Sequence, residues 1–132
     1  MSKIIRCCLL GLALFPASLA NAQQNAHPVP PFKIFDNFYY VGMDWVSAYV
    51  LKTSGGLIMI DTLYDNFTND AVKSIEQLGM NPKDIKYVIV THGHNDHVGG
   101  VKAIQSLTGA KVVMAEGDWV MSKLPRDIVV KD

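Results

Sequence analysis

The sequence predicts an α/β fold built around a mixed β-sheet. Two early pairs of short apolar segments joined by turn residues read as antiparallel hairpins. A later strand–helix–strand alternation reads as a parallel crossover, and the intervening helical segments carry apolar residues on one face. The 132 residues are 49% hydrophobic, 9% aromatic and 18% charged, as in an ordinary globular chain. Twelve Lys and Arg offset twelve Asp and Glu, for a formal net charge of +0 and a pI of about 6.9. There is no basic stripe and no aromatic-basic interleaving, so the electrostatic footprint of a nucleic-acid binder is missing.

Lys3 and Arg6 precede the apolar run Cys7 to Phe15, and Ala20-Asn21-Ala22 places small residues at the spacing of a cleavage site. Residues 1–22 therefore read as an export signal that is removed, leaving a periplasmic or secreted protein with no membrane anchor. Cys7 and Cys8 both lie inside that signal, which excludes disulfide, thiolate-ligand and cysteine-nucleophile chemistry from the mature chain. Residues 23–31 are polar and proline-rich and read as a flexible leader carrying a solvated His27. Residues 32–132 then form one domain, with no internal linker to divide them.

Phe32 to Phe35 and Phe38 to Val41 flank an Asp36-Asn37 turn, and Ser47 to Lys52 and Leu57 to Ile60 flank Thr53-Ser54-Gly55-Gly56. Leu57-Ile58-Met59-Ile60 is apolar throughout, the pattern of an interior strand covered on both faces. Between Asn66 and Met80 the period changes. Ala71, Val72, Ile75 and Leu78 share a face and Gly79 closes an amphipathic helix. Asn81-Pro82 forces a loop before the β-branched strand Ile85 to Val90. Val98, Val101, Ile104 and Leu107 predict a helix ending at Gly109. Lys111 to Met114 is a strand, Glu116 to Lys123 a short helix broken by Pro125, and Ile128 to Val130 a last strand.

Three of the four histidines, His92, His94 and His97, lie within six residues together with Asp96, directly after a buried strand and before a helix. Imidazole nitrogen and carboxylate oxygen are the ligands of borderline metals such as Zn²⁺, and sites in α/β folds gather at the carboxyl ends of strands. Desolvating three imidazoles and a carboxylate together is costly unless a cation binds them. Residues two apart on an extended segment point to one side, whereas adjacent residues diverge, so the four ligands divide more naturally between two ions. Gly93 allows a tight backbone path, and Gly99 and Gly100 let the following helical turn pack against the loop.

His92-Gly93-His94-Asn95-Asp96-His97 resembles the His-x-His-x-Asp-His signature of the metallo-β-lactamase superfamily. The strand ending in Ile60-Asp61-Thr62 resembles an earlier family strand with the same ending, and the likeness runs from about Phe32 to the end of the chain. It implies the N-terminal half of a four-layer αββα sandwich and a zinc-dependent hydrolase. His92 and His94 would bind one Zn²⁺, Asp96 and His97 a second, and a bridging hydroxide would attack a carbonyl-type centre in a small molecule such as a β-lactam amide. Asp96 would also orient that nucleophile as the catalytic carboxylate, and Asp61 would accept hydrogen bonds from the metal loop or a ligand imidazole.

In motif the chain is closest to the third β-lactamase subclass, since His92 and His97 depart from the other two. The same motif is shared with hydrolases of the glyoxalase II, lactonase and ribonuclease types and with iron-using dioxygenases, so iron is the alternative metal. Because only the first half is matched, the later histidines and a bridging carboxylate are expected to be missing. A truncated, incomplete site and an apolar sheet face open to self-association are expected with them. A non-catalytic metal-binding or interaction module is the competing reading. Tyr39, Tyr40, Met43 and Trp45 serve either as a lip over the site or as strand and core residues.

Overall fold

The computed structural model describes residues 26–131; the expected signal at 1–22, with Cys7 and Cys8, and leader residues 23–25 lie outside the described residues. Seven strands form one sheet in the order of the sequence: β1 (Phe32–Phe35), β2 (Phe38–Tyr40), β3 (Tyr49–Thr53), β4 (Gly56–Ile60), β5 (Ile85–Ile89), β6 (Lys111–Ala115) and β7 (Ile128–Val130). Strands β1 to β4 pair antiparallel and β4 to β7 parallel, so the sheet is mixed, as the sequence predicts.

The second hairpin closes through its own turn chemistry. Thr53 Oγ1 donates to the Gly56 carbonyl oxygen at 2.8 Å and accepts from the Gly55 N–H at 3.1 Å. Gly56 sits at φ +124°, which residues with a Cβ rarely adopt, and the two strands extend to Thr53 and Gly56. The described part of the leader runs beside the chain after β2. His27 N–H donates to Asp44 Oδ1 at 3.0 Å, Asp44 N–H donates to the His27 carbonyl oxygen at 2.9 Å, and Pro28 bridges Met43.

Helices α1 (Thr68–Gln77), α2 (Asn95–Val98), α3 (Val101–Thr108) and α4 (Glu116–Ser122) fill the parallel connections. Helix α1 starts later than its periodicity predicts because Asp65–Phe67 is a separate 3-10 turn. It closes at Gly79, φ +74°, where the Met80 N–H reaches back to the Ile75 carbonyl at 3.2 Å. The segment from Val98 to Leu107 is two helices rather than one. At the break, the Gly100 N–H turns to the Leu63 carbonyl at 3.2 Å and to Thr62 Oγ1 at 3.1 Å, outside its own helix. Among the described residues no helix is long and apolar enough to cross a membrane.

Successive parallel strands lie side by side without a reversal of order, and each crossover is right-handed by preference, so all the connecting helices fall on one face. That face is the core: Val50, Met59, Val88, Val112 and Met114 from the strands meet Ala71, Ile75 and Ile104 from the helices, all 0–1% exposed. Here β4 and β5 differ from their all-apolar pattern. Ile58 and Ile60 are only half-buried, and Tyr87 and Ile89 are 44% and 39% exposed, because no helix of the described residues covers the second face. Phe32, Phe38, Tyr40 and Tyr49 continue this open face and stack on one another, with Phe32–Tyr40 and Phe38–Tyr49 ring centroids both 5.2 Å apart.

Gly100 is where the crossover helices touch the end of β4, and a Cβ there would overlap Thr68 Oγ1 and stand 2.6 Å from the Thr62 carbonyl oxygen. Gly100→Ala is expected to lower stability by about 1–3 kcal/mol in thermal unfolding, the cost of overpacking a filled site. Gly117→Ala is the control, since nothing lies within 4 Å of its Cβ position in α4. It is expected to be neutral or to stabilise by up to about 1 kcal/mol.

Candidate metal centre

The site forms where β4 and β5 end, at the carboxyl edge of the parallel strands. Beyond β4 the chain turns through Asp61 and Leu63, both left-handed at φ 58° and 63°. Asp adopts this conformation at modest cost, and here the surroundings fix it. The Asp61 N–H donates to the Ile89 carbonyl at 2.9 Å, the Thr62 N–H to the His97 carbonyl at 2.8 Å, and Thr62 Oγ1 to that same oxygen at 3.0 Å.

The Asp61 side chain is 5% exposed and takes three donors: the Thr91 N–H at 2.7 Å, Thr91 Oγ1 at 2.7 Å and His97 Nδ1 at 2.8 Å. A carboxylate accepts only, so the bond to Asp61 puts the His97 proton on Nδ1 and leaves a lone pair on Nε2. That Nε2 faces Asp96 Oδ2 at 3.5 Å. Two acceptors in that position repel unless a cation or a proton lies between them. The hydrogen-bonding role read for Asp61 from the sequence matches this geometry, and the imidazole it holds is His97.

His92, Asp96 and His97 each offer one ligand atom, and these three atoms all lie within 4.8 Å of one another. The His92 and His97 ring centroids are 3.9 Å apart. Thr91 Oγ1, whose proton goes to Asp61, lies 3.3 Å from His92 Nδ1 and ties the second imidazole to the same network. His94 stands outside the group of three. It is exposed at the start of α2, its ring edge-on to His92 with centroids 5.0 Å apart. The structure thus gathers His92 with Asp96 and His97 and sets the His94 ring beside that of His92.

The donor set fits a borderline divalent metal: two imidazole nitrogens and one carboxylate oxygen converge, with one imidazole oriented by a buried carboxylate. Sequence reading passes over one neighbour, Tyr64. Tyr64 lies three residues beyond Asp61, and burial, then the Asp96 carboxylate, raise its phenol above the ordinary tyrosine pKa. Trp45 stacks on Tyr64 with ring centroids 6.0 Å apart and planes 13° apart, while Met43 is buried and Tyr39 and Tyr40 are strand residues. A shallow cavity of about 610 Å³ lies beside Tyr64, lined also by Asn66, Asn95, Lys102 and Leu124.

Asp61→Asn keeps the shape and tolerates the left-handed backbone, yet its amide offers one acceptor oxygen where the carboxylate offers two. The metal-free variant is expected to lose about 1–3 kcal/mol in denaturant unfolding. The ¹⁵N shifts of the His97 ring are expected to move toward the other tautomer. An unchanged tautomer would show that Asp61 does not orient the ring.

Residues 42–130 match the family model described as "Metallo-beta-lactamase superfamily". An alkyl/aryl-sulfatase, BDS1 of Saccharomyces cerevisiae, is 38% identical over 91 residues, 67% of this chain and 14% of that protein. The solved structure of BJP-1, a subclass B3 metallo-β-lactamase of Bradyrhizobium japonicum, superposes with a TM-score of 0.69 at 44% identity, covering 71% of this chain and 36% of that one. LRA-12, a class B3 di-zinc metallo-β-lactamase from an Alaskan soil metagenome, superposes with a TM-score of 0.68 at 33% identity, covering 70% and 35%. The chain spans about a third of the length of these solved relatives. The matched stretch carries β3 to β7, the Asp61 turn and the whole histidine loop, and the chain belongs to the metallo-β-lactamase superfamily.

Proposed function

We propose that this chain supplies the histidine loop of an exported, zinc-dependent hydrolase acting on a small molecule. The observation that carries the reading is the convergence of His92, Asp96 and His97 within 4.8 Å, with the Nδ1 of His97 already committed to Asp61. His92 and His97 would hold the metal through imidazole nitrogen and Asp96 through carboxylate oxygen, with exposed His94 beside them as a further ligand. Bound zinc would supply a water of pKa about 7 and polarise a carbonyl oxygen.

The protein's own groups do the rest. The Asp96 carboxylate accepts a hydrogen bond from the attacking water, aligns it and takes up its proton at Oδ. Asp61 keeps the His97 ring in one tautomer and one orientation, and the Trp45–Tyr64 pair forms an aromatic wall along the approach. Similarity to subclass B3 β-lactamases supports a β-lactam amide as substrate, and similarity to a sulfatase supports an ester of another acid. Export rests on the charged and apolar pattern of residues 1–22.

Metal-free protein titrated with zinc is expected to bind at least one ion per chain. Zinc at about a hundred times its Kd is expected to stabilise the fold by about 2.7 kcal/mol. His92→Ala and His97→Ala are each expected to abolish that stabilisation, as read by metal analysis and thermal unfolding. Zinc-loaded protein is then assayed on a chromogenic cephalosporin, a thioester and an aryl sulfate. Turnover of one of them names the bond class, whereas zinc uptake without turnover would support a non-catalytic metal-binding role. Iron in place of zinc in protein purified without added metal would support the iron-dependent relatives.

A further inference from the structure

The peptide between His92 and His94 is held by a side chain from outside the histidine loop. The Gly93 N–H donates to Asp118 Oδ1 at 2.8 Å, across 25 residues of sequence. Gly93 is buried, and a Cβ on it would stand 2.8 Å from the Asp118 carbonyl oxygen and 2.9 Å from Met121 Cβ. Its φ is not positive, so the glycine is there for space and not for an unusual backbone angle. The loop therefore lies flat against α4.

Helix α4 is itself anchored. Trp119, 2% exposed, donates its Nε1–H to the Ile128 carbonyl at 3.1 Å and so fastens the helix to β7. Asp118 is half-buried and makes no ion pair among the described residues. A carboxylate accepting from a backbone N–H forms a charge-assisted bond, roughly twice the strength of a neutral one. The peptide so held links His92 to His94, and its rotation would swing the His92 imidazole away from Asp96 and His97.

We propose that Asp118 is a positioning residue for the histidine loop, fixing the Gly93 peptide so that His92 stays turned toward Asp96 and His97. The proposal rests on the metal reading of that cluster. Asp118 also lies in the first turn of α4, where an acidic side chain favours the helix dipole, so the test separates the two roles.

Asp118→Ala, Asp118→Asn and Asp118→Glu are compared in the full chain. The readouts are Gly93 amide exchange without metal, zinc affinity against a competing chelator, and the visible spectrum of the cobalt(II) form. Asp118→Ala is expected to speed Gly93 exchange, weaken zinc binding about 10–100-fold and shift the cobalt bands. Asp118→Asn, whose amide oxygen accepts the same bond, is expected to recover most of the affinity and the spectrum. Asp118→Glu, with its acceptor displaced by one methylene, is expected to stay impaired, and it decides the matter against Asp118→Asn if the alanine variant does not fold.

Wild-type zinc affinity and cobalt spectrum in Asp118→Ala, even with a lowered melting temperature, would leave Asp118 a helix-terminal acid and overturn the proposal. So would an asparagine variant as impaired as the alanine one, because charge and not the hydrogen bond would then be responsible. Wild-type protein that takes up no zinc removes the metal reading and this proposal with it. A protected Gly93 amide in that sample would identify the metal reading as the one that failed.

Discussion

The carboxylate of Asp61 accepts three hydrogen bonds at the point where β4 leaves the sheet, and the candidate site is arranged around it. A carboxylate this deeply enclosed is tolerable only when its lone pairs are satisfied, and the donors that satisfy it come from Thr91 and His97, at opposite ends of the histidine loop. Folding β4 against β5 thus closes the loop on itself. The neighbouring Thr62 repeats the connection through its N–H and hydroxyl, both donated to the carbonyl of His97. The left-handed backbone at Asp61 and Leu63 is the local cost of aiming these groups at one place.

That junction also explains the glycines. Gly99 and Gly100 carry no Cβ because the segment after β4 occupies the space: Asp65 N lies 2.7 Å from the Cβ position of Gly99, and the Thr62 carbonyl 2.6 Å from that of Gly100. The sequence reading has them packing against the histidine loop, but most of their close neighbours belong to the Asp61–Thr68 segment. Gly93 meets α4 in the same way. The loop is therefore gripped on one side by the end of β4 and on the other by the helix after β6, which is a physical route to imidazoles that are aligned before any metal arrives.

The strand order has a second consequence. With the parallel strands added one after another in one direction, the crossovers cover a single face and leave Tyr40, Tyr49, Ile58, Ile60, Tyr87 and Ile89 on the other. Their aromatic stacking within the sheet lowers the exposed apolar area without removing it. Apolar residues on both faces of β4 and β5 are the composition of strands that are covered twice.

The sequence alone determined the fold class, the seven strands and the identity of the loop, because hairpin turns, β-branched runs and helical periodicity are local signals. His92, His94, Asp96 and His97 stand out for the same reason, four ligand-type residues within six positions. It also marked Asp61, through the likeness of Ile60-Asp61-Thr62 to the family's earlier strand ending. Which of the four ligand-type residues converge was decided only by the tertiary structure. His94 stays exposed at the start of α2 with its ring edge-on to His92, and His92 is drawn toward His97 through Thr91, a residue 30 positions from its own partner Asp61. Asp118, 25 residues from Gly93, and the Trp45–Tyr64 stack were invisible for the same cause. A hydrogen bond across such separations depends on where two chain segments are brought together, and no local pattern encodes that.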